Sequence, residues 1–215
     1  MEFYNQGEYV SNTQLLQLYE LMPLQMRKLP VDVCITKSYE FLDRNPNLSP
    51  KVKSEFEKML NNQCDAAYYA GLVVVYEDRI LERCFEGQFY WMFVYLLIHE
   101  LRHCEQACYF RERWDIVMSD YDAGYGEYLL DNESLKKLHW TEQDAYTYCY
   151  RFVVNHKYRI REIFNIDDGP KLVEFNTFVD IEQVWESYRS RLALLPKIMW
   201  VIADIFWNRR GMSKQ

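Results

Sequence analysis

Two histidines with a glutamate between them are the residues of this chain whose types and spacing could do chemistry. His99 and His103 lie four positions apart in segment 88–106, which has no proline or glycine and starts just after Gly87. This segment is expected to form one helix. Side chains four residues apart lie one helical turn above one another, so both imidazoles can bind a single zinc ion (Zn2+). Glu100 then points toward the ligand position that remains open.

A catalytic zinc site needs a third protein ligand on a second rigid element, and Glu142 is the best candidate downstream. It opens a helical segment in which Thr141 is expected to be the N-cap, with Asp144 at the third position of a near capping box. Ala145 lies on the same face, where its small side chain would let two helices approach closely. His139 is a rival ligand, because imidazole binds zinc at least as well as carboxylate does.

Two sequence segments that contain the candidate ligands resemble those of a known group of enzymes. Segment 97–106, followed by Glu142-Gln143-Asp144-Ala145, resembles the compact gluzincin metallopeptidases of bacteria and phages with a HELRH-type helix, and more distantly the ImmA/IrrE-like proteases. The resemblance covers about residues 68–155. It implies that Glu100 is the general base and that zinc is bound by His99, His103 and Glu142.

The resemblance also implies a fold. We expect an α+β, mostly helical, zincin-like domain with a small antiparallel or mixed sheet against the motif helix. Strand 72–76 would form the rim of the cleft and receive extended substrate by edge pairing. One departure is Tyr146, because ImmA-type relatives have Asn or Asp at the corresponding position. Asp144 could then take over the role of supporting the ligands, or the helix could start in a different register.

The predicted chemistry is zinc-dependent hydrolysis of a protein or peptide substrate. Bound zinc would lower the pKa of its water from about 16 toward about 7, and Glu100 would accept the proton as hydroxide attacks a carbonyl. The tetrahedral intermediate needs a further donor. Tyr146, one turn from Glu142, is the candidate, and the alternatives lie between the ligands at Tyr121, Tyr125 and Tyr128.

Other classes of function remain open from the sequence alone. A regulatory or interaction protein could keep the zincin fold with restricted or no proteolysis, although the intact Glu100 argues against a complete loss of chemistry. A structural metal site would need a fourth protein ligand, such as Cys104 or His139. In the plainest interpretation the motif histidines end a core helix and Glu100 pairs with Arg102.

Composition and charge set the broad class. The chain has 215 residues, is 49% hydrophobic and 17% aromatic, and carries a net charge of −7. One zincin-like domain, 1–215, is the simplest organisation: N-terminal helices and sheet (1–85), the two ligand helices (86–165) and C-terminal helices (166–215). No basic stripe or glycine-rich phosphate loop appears, so nucleic-acid binding is disfavoured.

The amino-terminal sequence, the length of the apolar runs and the cysteines indicate where the protein is located. The amino terminus has no basic region followed by an apolar core, and no apolar run is long enough to span a bilayer. Six cysteines without paired spacing fit reduced thiols, so a cytoplasmic location is expected. Cys104 and Cys108 share one helical face and are expected to be small core residues, with a metal or redox pair as the alternative.

The remaining elements follow from hydrophobic periodicity. We expect helices at 12–26 and 51–61, strands at 31–36 and 72–76, and a segment 79–83 that pairs with the latter strand across a turn. Between the ligand helices, 108–140 includes a glycine-rich stretch that could act as a lid. Two helices, 181–195 and 197–209, end the chain. The last is apolar on two sides, which favours burial, with a homodimer interface as the alternative.

Overall fold

The described residues form a mostly helical α+β fold. The structure, a computed structural model, describes residues 1–38, 40–84, 87–109 and 140–171, all within the unit Met1–Thr177. In chain order the elements are β1 (Glu2–Asn5), α1 (Asn12–Leu21), α2 (Leu24–Arg27), β2 (Asp32–Thr36), α3 (Phe41–Arg44), α4 (Pro50–Asn61), β3 (Ala66–Tyr69), β4 (Leu72–Tyr76), α5 (Glu77–Arg83), α6 (Phe89–Tyr109) and α7 (Trp140–Phe164).

Several predictions concern residues outside the described part of the chain. These are the lid between the ligand helices, the tyrosines at 121, 125 and 128, the rival ligand His139, and the C-terminal helices with their proposed dimer interface. The single domain 1–215 likewise stays a prediction.

The sheet is mixed, which is one of the two arrangements expected from the sequence, antiparallel or mixed. Its strand order is β1-β2-β4-β3, with β1, β2 and β4 parallel and β3 antiparallel to β4. β4 is hydrogen-bonded on both sides, which suits its buried valine run. The expectation that strand 72–76 receives substrate at an edge is therefore wrong, because its backbone groups are already paired. The last strand of the described sheet on this side is β3.

A tight hairpin explains why sequence patterns missed β3. Ala70 and Gly71 join β3 to β4 with φ angles of 51° and 82°. Positive φ at both central residues is the signature of a type I′ turn, whose usual sequence is Asn-Gly or Asp-Gly. Because Ala70 occupies the first central position, the sequence lacks this usual turn signal. The backbone of the turn still matches the twist of the two strands.

Two further predicted elements need correction. The helix expected at 12–26 is interrupted at Pro23, because proline lacks an N–H and holds the preceding Met22 extended, with φ −66° and ψ 144°. Segment 79–83 belongs to helix α5 and not to a strand. Glu77 and Asp78 occupy the first turn of α5 and Arg83 the last, a charge arrangement that the helix dipole favours.

Helix α6 is the central element of the core. It packs against α7, β3 and β4, and most of its residues before the motif are apolar. Its fully buried side chains include Trp91, Phe93, Leu97, Ile98 and Leu101. A helix that is apolar nearly all round requires neighbours on every side, so the motif is carried on a rigid, buried rod. None of the helices within the described ranges is long and apolar enough to cross a membrane.

Helix α7 carries the third predicted ligand. It begins at Trp140, so Thr141 lies inside the first turn and is not the N-cap. Glu142 keeps its place in that first turn. Ala145 is fully buried, in agreement with the close approach expected for that face.

A buried carboxylate ties the N-terminal loop to the start of α5. Glu77 is fully buried and accepts backbone N–H groups from Glu8 at 2.6 Å, Tyr9 at 3.2 Å and Val10 at 3.1 Å. The loop approaches so closely that a Cβ at Gly7 would lie 2.5 Å from the carboxyl carbon. The carboxylate therefore replaces the hydrogen bonds that this stretch of backbone lacks.

We expect Glu77→Gln to lower the free energy of unfolding by about 1–3 kcal/mol, because the amide NH2 would face N–H donors in a buried site. Urea unfolding followed by circular dichroism measures the loss. Glu57→Gln on the exposed face of α4 is the matched control, with an expected change within about 0.5 kcal/mol. Equal stability of the two variants would contradict this account of the loop.

Candidate metal centre

Two imidazoles from α6 and one carboxylate from α7 converge on one point. The Nε2 atoms of His99 and His103 are 3.0 Å apart. Glu142 bridges them, with Oε2 3.2 Å from Nε2 of His99 and Oε1 3.2 Å from Nε2 of His103. The structure thus brings together the three residues predicted to be ligands.

These residues fit a zinc ion in both donor type and spacing. Tetrahedral zinc with bonds of about 2.1 Å has ligand atoms about 3.4 Å apart. The two Nε2 atoms are 3.0 Å apart, and each lies 3.2 Å from a different oxygen of Glu142. Within the described ranges, His99, His103 and Glu142 form the group whose ligand atoms all lie within 4.8 Å of one another. Cys104 does not belong to this group. Among the residues that the structure describes, three protein donors leave the fourth position open, which is the arrangement expected of a catalytic site.

The charges of the cluster are coupled. Burial would lower the pKa of His103, but the adjoining Glu142 carboxylate outweighs burial and raises that pKa to about 9. Burial would raise the pKa of Glu142, and the two imidazoles reverse this and hold it well below its ordinary value. The carboxylate is therefore ionised, and the cluster attracts a cation, which a metal ion can supply in place of the proton.

Glu100 lies beside this cluster, where a base is needed. Its side chain is buried, and burial raises its pKa against the opposing effects of both imidazoles and of the backbone N–H of Tyr68. Arg102, which the plainest interpretation paired with Glu100, instead contacts Asp144 and Glu105. Glu100 therefore keeps its carboxylate at the ligand cluster and the β3 backbone.

Tyr146 packs against a ligand. Its ring centroid is 4.3 Å from that of His99, with a tilt of 52° between the planes. Burial raises the pKa of the phenol, so it keeps its proton at neutral pH. The ring limits the movement of His99, and the role of its hydroxyl as a donor to the substrate stays a prediction.

The two cysteines of α6 differ in environment. Cys104 is buried as expected, whereas Cys108 is exposed, so the prediction that both belong to the core is wrong for Cys108. Cys108 lies in the last turn of α6, which is described as far as Tyr109. His156, near the other end of α7, packs against Phe152 with ring centroids 4.7 Å apart and is not part of the metal group.

Sequence reasoning missed Gln106 as a contact of the site. Its Oε1 lies 3.0 Å from Nδ1 of His103, on the side of the ring away from the other ligands. The signal was present, because positions three apart share a helical face. Asp144, expected either to complete a capping box in its own helix or to support the ligands, contacts Gln106 and Arg102 on α6.

No protein-family model, curated protein or solved structure matches this chain. The resemblance to gluzincin peptidases therefore depends on the motif residues, and the metal site depends on the geometry given above.

We expect the purified protein to hold about one zinc per chain, and His99→Ala and His103→Ala to abolish binding, because each removes one of three ligands. Elemental analysis after dialysis measures the metal. Glu142→Ala should weaken binding by more than the about 10–100-fold typical of residues outside the ligand set.

His156→Ala is the matched control, since it removes a histidine of α7 that lies outside the group; its zinc content should equal that of the wild type. Unchanged metal content in both motif-histidine variants would eliminate the site.

Proposed function

We propose that this chain is a zinc-dependent metallopeptidase of the HExxH gluzincin type. The observation that carries the proposal is the convergence of His99, His103 and Glu142 with a buried carboxylate, Glu100, next to them. Two imidazoles, one carboxylate and an open fourth position are the donor set of catalytic zinc in hydrolases. A purely structural zinc would need a fourth protein ligand, which the described group does not contain.

Zinc bound by these residues would polarise a carbonyl oxygen and lower the pKa of a water ligand to about 7. Glu100 accepts the proton of the attacking water and then donates it to the departing amine nitrogen. Burial raises the pKa of Glu100, which makes it a stronger base for the first step. Tyr146 supplies a neutral phenol beside His99, from which a hydrogen bond to the developing oxyanion is proposed.

The backbone of β3 supports an extended peptide as the substrate. The N–H of Tyr76 donates to the carbonyl of Asp65, and hydrogen-bonded pairs alternate along antiparallel strands. Ala66 and Tyr68 therefore direct their backbone groups away from β4. The N–H of Tyr68 acts on the Glu100 carboxylate, which leaves the carbonyl of Tyr68 and the backbone groups of Ala66 for a peptide. An extended peptide pairing with β3 would thus place a carbonyl near the proposed base.

Glu100→Gln is expected to lower peptide cleavage by at least about 10²–10⁴-fold, the contribution of a general base, and to leave zinc content unchanged. The assay uses unfolded casein with mass spectrometry of the fragments, on zinc-loaded protein. Glu57→Gln is the control and should cleave at the wild-type rate.

Two outcomes would oppose the proposal. Wild-type cleavage by Glu100→Gln would remove Glu100 from the mechanism. Zinc-loaded wild type that cleaves no site in casein or in a random peptide library would favour the regulatory alternative.

If a peptide ligand pairs with β3, every second backbone nitrogen of the peptide should contribute a hydrogen bond to its affinity. In a series of peptide hydroxamates, N-methylation of a nitrogen that faces β3 should weaken inhibition about 5–10-fold, the loss of one hydrogen bond. Methylation of the next nitrogen, which faces away, should change affinity little. A series with no alternation would contradict edge pairing without affecting the zinc site.

A further inference from the structure

The amide of Gln106 has one allowed orientation. Its nitrogen lies 3.0 Å from the carbonyl oxygen of Thr141 and 2.6 Å from Oδ2 of Asp144. Both of these oxygens accept hydrogen bonds, because one is a carbonyl and the other belongs to a carboxylate. The reversed amide would place its own oxygen against two acceptors in a fully buried position. The NH2 group must therefore face α7, and the oxygen must face His103.

This orientation determines the tautomer of His103 in the zinc-bound state. Oε1 of Gln106 can only accept, and it lies 3.0 Å from Nδ1 of His103. Nδ1 must then carry a proton. In the neutral imidazole, the lone pair is on Nε2, the atom that faces His99 and Glu142. The tautomer that a metal requires is thus selected by contacts that lie outside the ligand set.

The ion pair between Arg102 and Asp144 holds the amide in this orientation. Arg102 donates to both carboxylate oxygens of Asp144, from Nε at 2.7 Å and from a terminal nitrogen at 3.1 Å. It also contacts Glu105 and lies 4.6 Å above the ring of Tyr148. The side chains of Arg102 and Asp144 are only 14% and 7% exposed. A bidentate pair so shielded from water holds the Asp144 carboxylate in place, so its Oδ2 stays positioned to accept from Gln106.

His99 provides a comparison within the same site. Its Nδ1 is buried and has no hydrogen-bond partner in the part of the chain that the structure describes. Its ring is restrained by packing against Tyr146. His103 is therefore the ligand whose orientation and tautomer are determined by hydrogen bonds.

We propose that Gln106 is a positioning residue that fixes His103 as the Nδ1–H tautomer, and that the Arg102–Asp144 ion pair acts through it. The effect on metal affinity rests on the proposed zinc function, whereas the contact between Gln106 and Nδ1 of His103 is present in the metal-free structure. Gln106 touches no reacting atom. Its contribution is to prepare the second histidine before the metal arrives.

The first experiment needs no metal. In the 15N-labelled metal-free protein, the imidazole NMR signals report whether Nδ1 of His103 carries a hydrogen-bonded proton that exchanges slowly with water. The wild type should show this proton, and Gln106→Met, which removes the acceptor, should exchange it faster. A wild type without a protected Nδ1–H, or equal protection in the variant, would overturn the proposal, whatever the zinc content.

The second experiment measures zinc affinity by competition with a fluorescent chelator. Gln106→Met should weaken binding by about 10–100-fold, while the exposed Gln17→Met control in α1 should not. Asp144→Asn alone should also weaken binding. If Asp144 acts through Gln106, the double variant should be no weaker than Gln106→Met alone, so the two effects are not additive.

These outcomes separate the two proposals. A wild type that binds no zinc but shows the hydrogen-bonded Nδ1–H of His103 contradicts the peptidase and keeps the role of Gln106. A zinc-binding wild type whose affinity is unaffected by Gln106→Met contradicts the role of Gln106 and keeps the peptidase. Additive losses in the double variant would show that Asp144 acts independently.

Discussion

The whole candidate site depends on the register in which the first turn of α7 lies against α6. His99 and His103 come from one helix and would stay adjacent whatever the rest of the chain did. Glu142 comes from another helix, so its 3.2 Å contacts require the two helices to meet without axial slip. The buried Arg102–Asp144 pair specifies that register, because a shift would leave two uncompensated charges in a low-dielectric interior.

The sheet positions the backbone that contacts Glu100, the proposed base. α6 packs against β3 and β4, and the tight turn at Ala70 and Gly71 sets the register between those strands. This brings the backbone of Tyr68 to Glu100. The candidate metal ligands and the backbone of β3 thus both act on the carboxylate of Glu100. The apolar interior around Trp91 and Leu97 holds α6 rigid while both neighbours contact it.

The sequence predicted what is encoded locally and missed what is encoded across the fold. The spacing of His99 and His103 is a property of one helix, and the apolar run at β4 identifies a buried strand. The contact of Gln106 with Asp144 joins residues 38 positions apart, so no periodicity reports it. β3 has no clear sequence signal because its hairpin turn uses Ala-Gly, and Pro23 ends α1 although the apolar periodicity continues past it. Glu142 was predicted by residue type and resemblance, and its distance from the histidines required the fold.

The charge distribution explains why such a cluster is found in a core. A buried group of two imidazoles and a carboxylate contributes little net stability, because desolvation offsets most of the attraction between its members. An apolar set of similar volume would serve the packing of α6 on α7 at least as well. Here the pKa of His103 is raised to about 9 and the pKa of Glu142 is held well below its ordinary value. Without a metal, a proton supplies the positive charge that the carboxylate requires. A divalent cation can replace that proton while using lone pairs that already point at one position, so the electrostatics favour metal binding over a purely structural role.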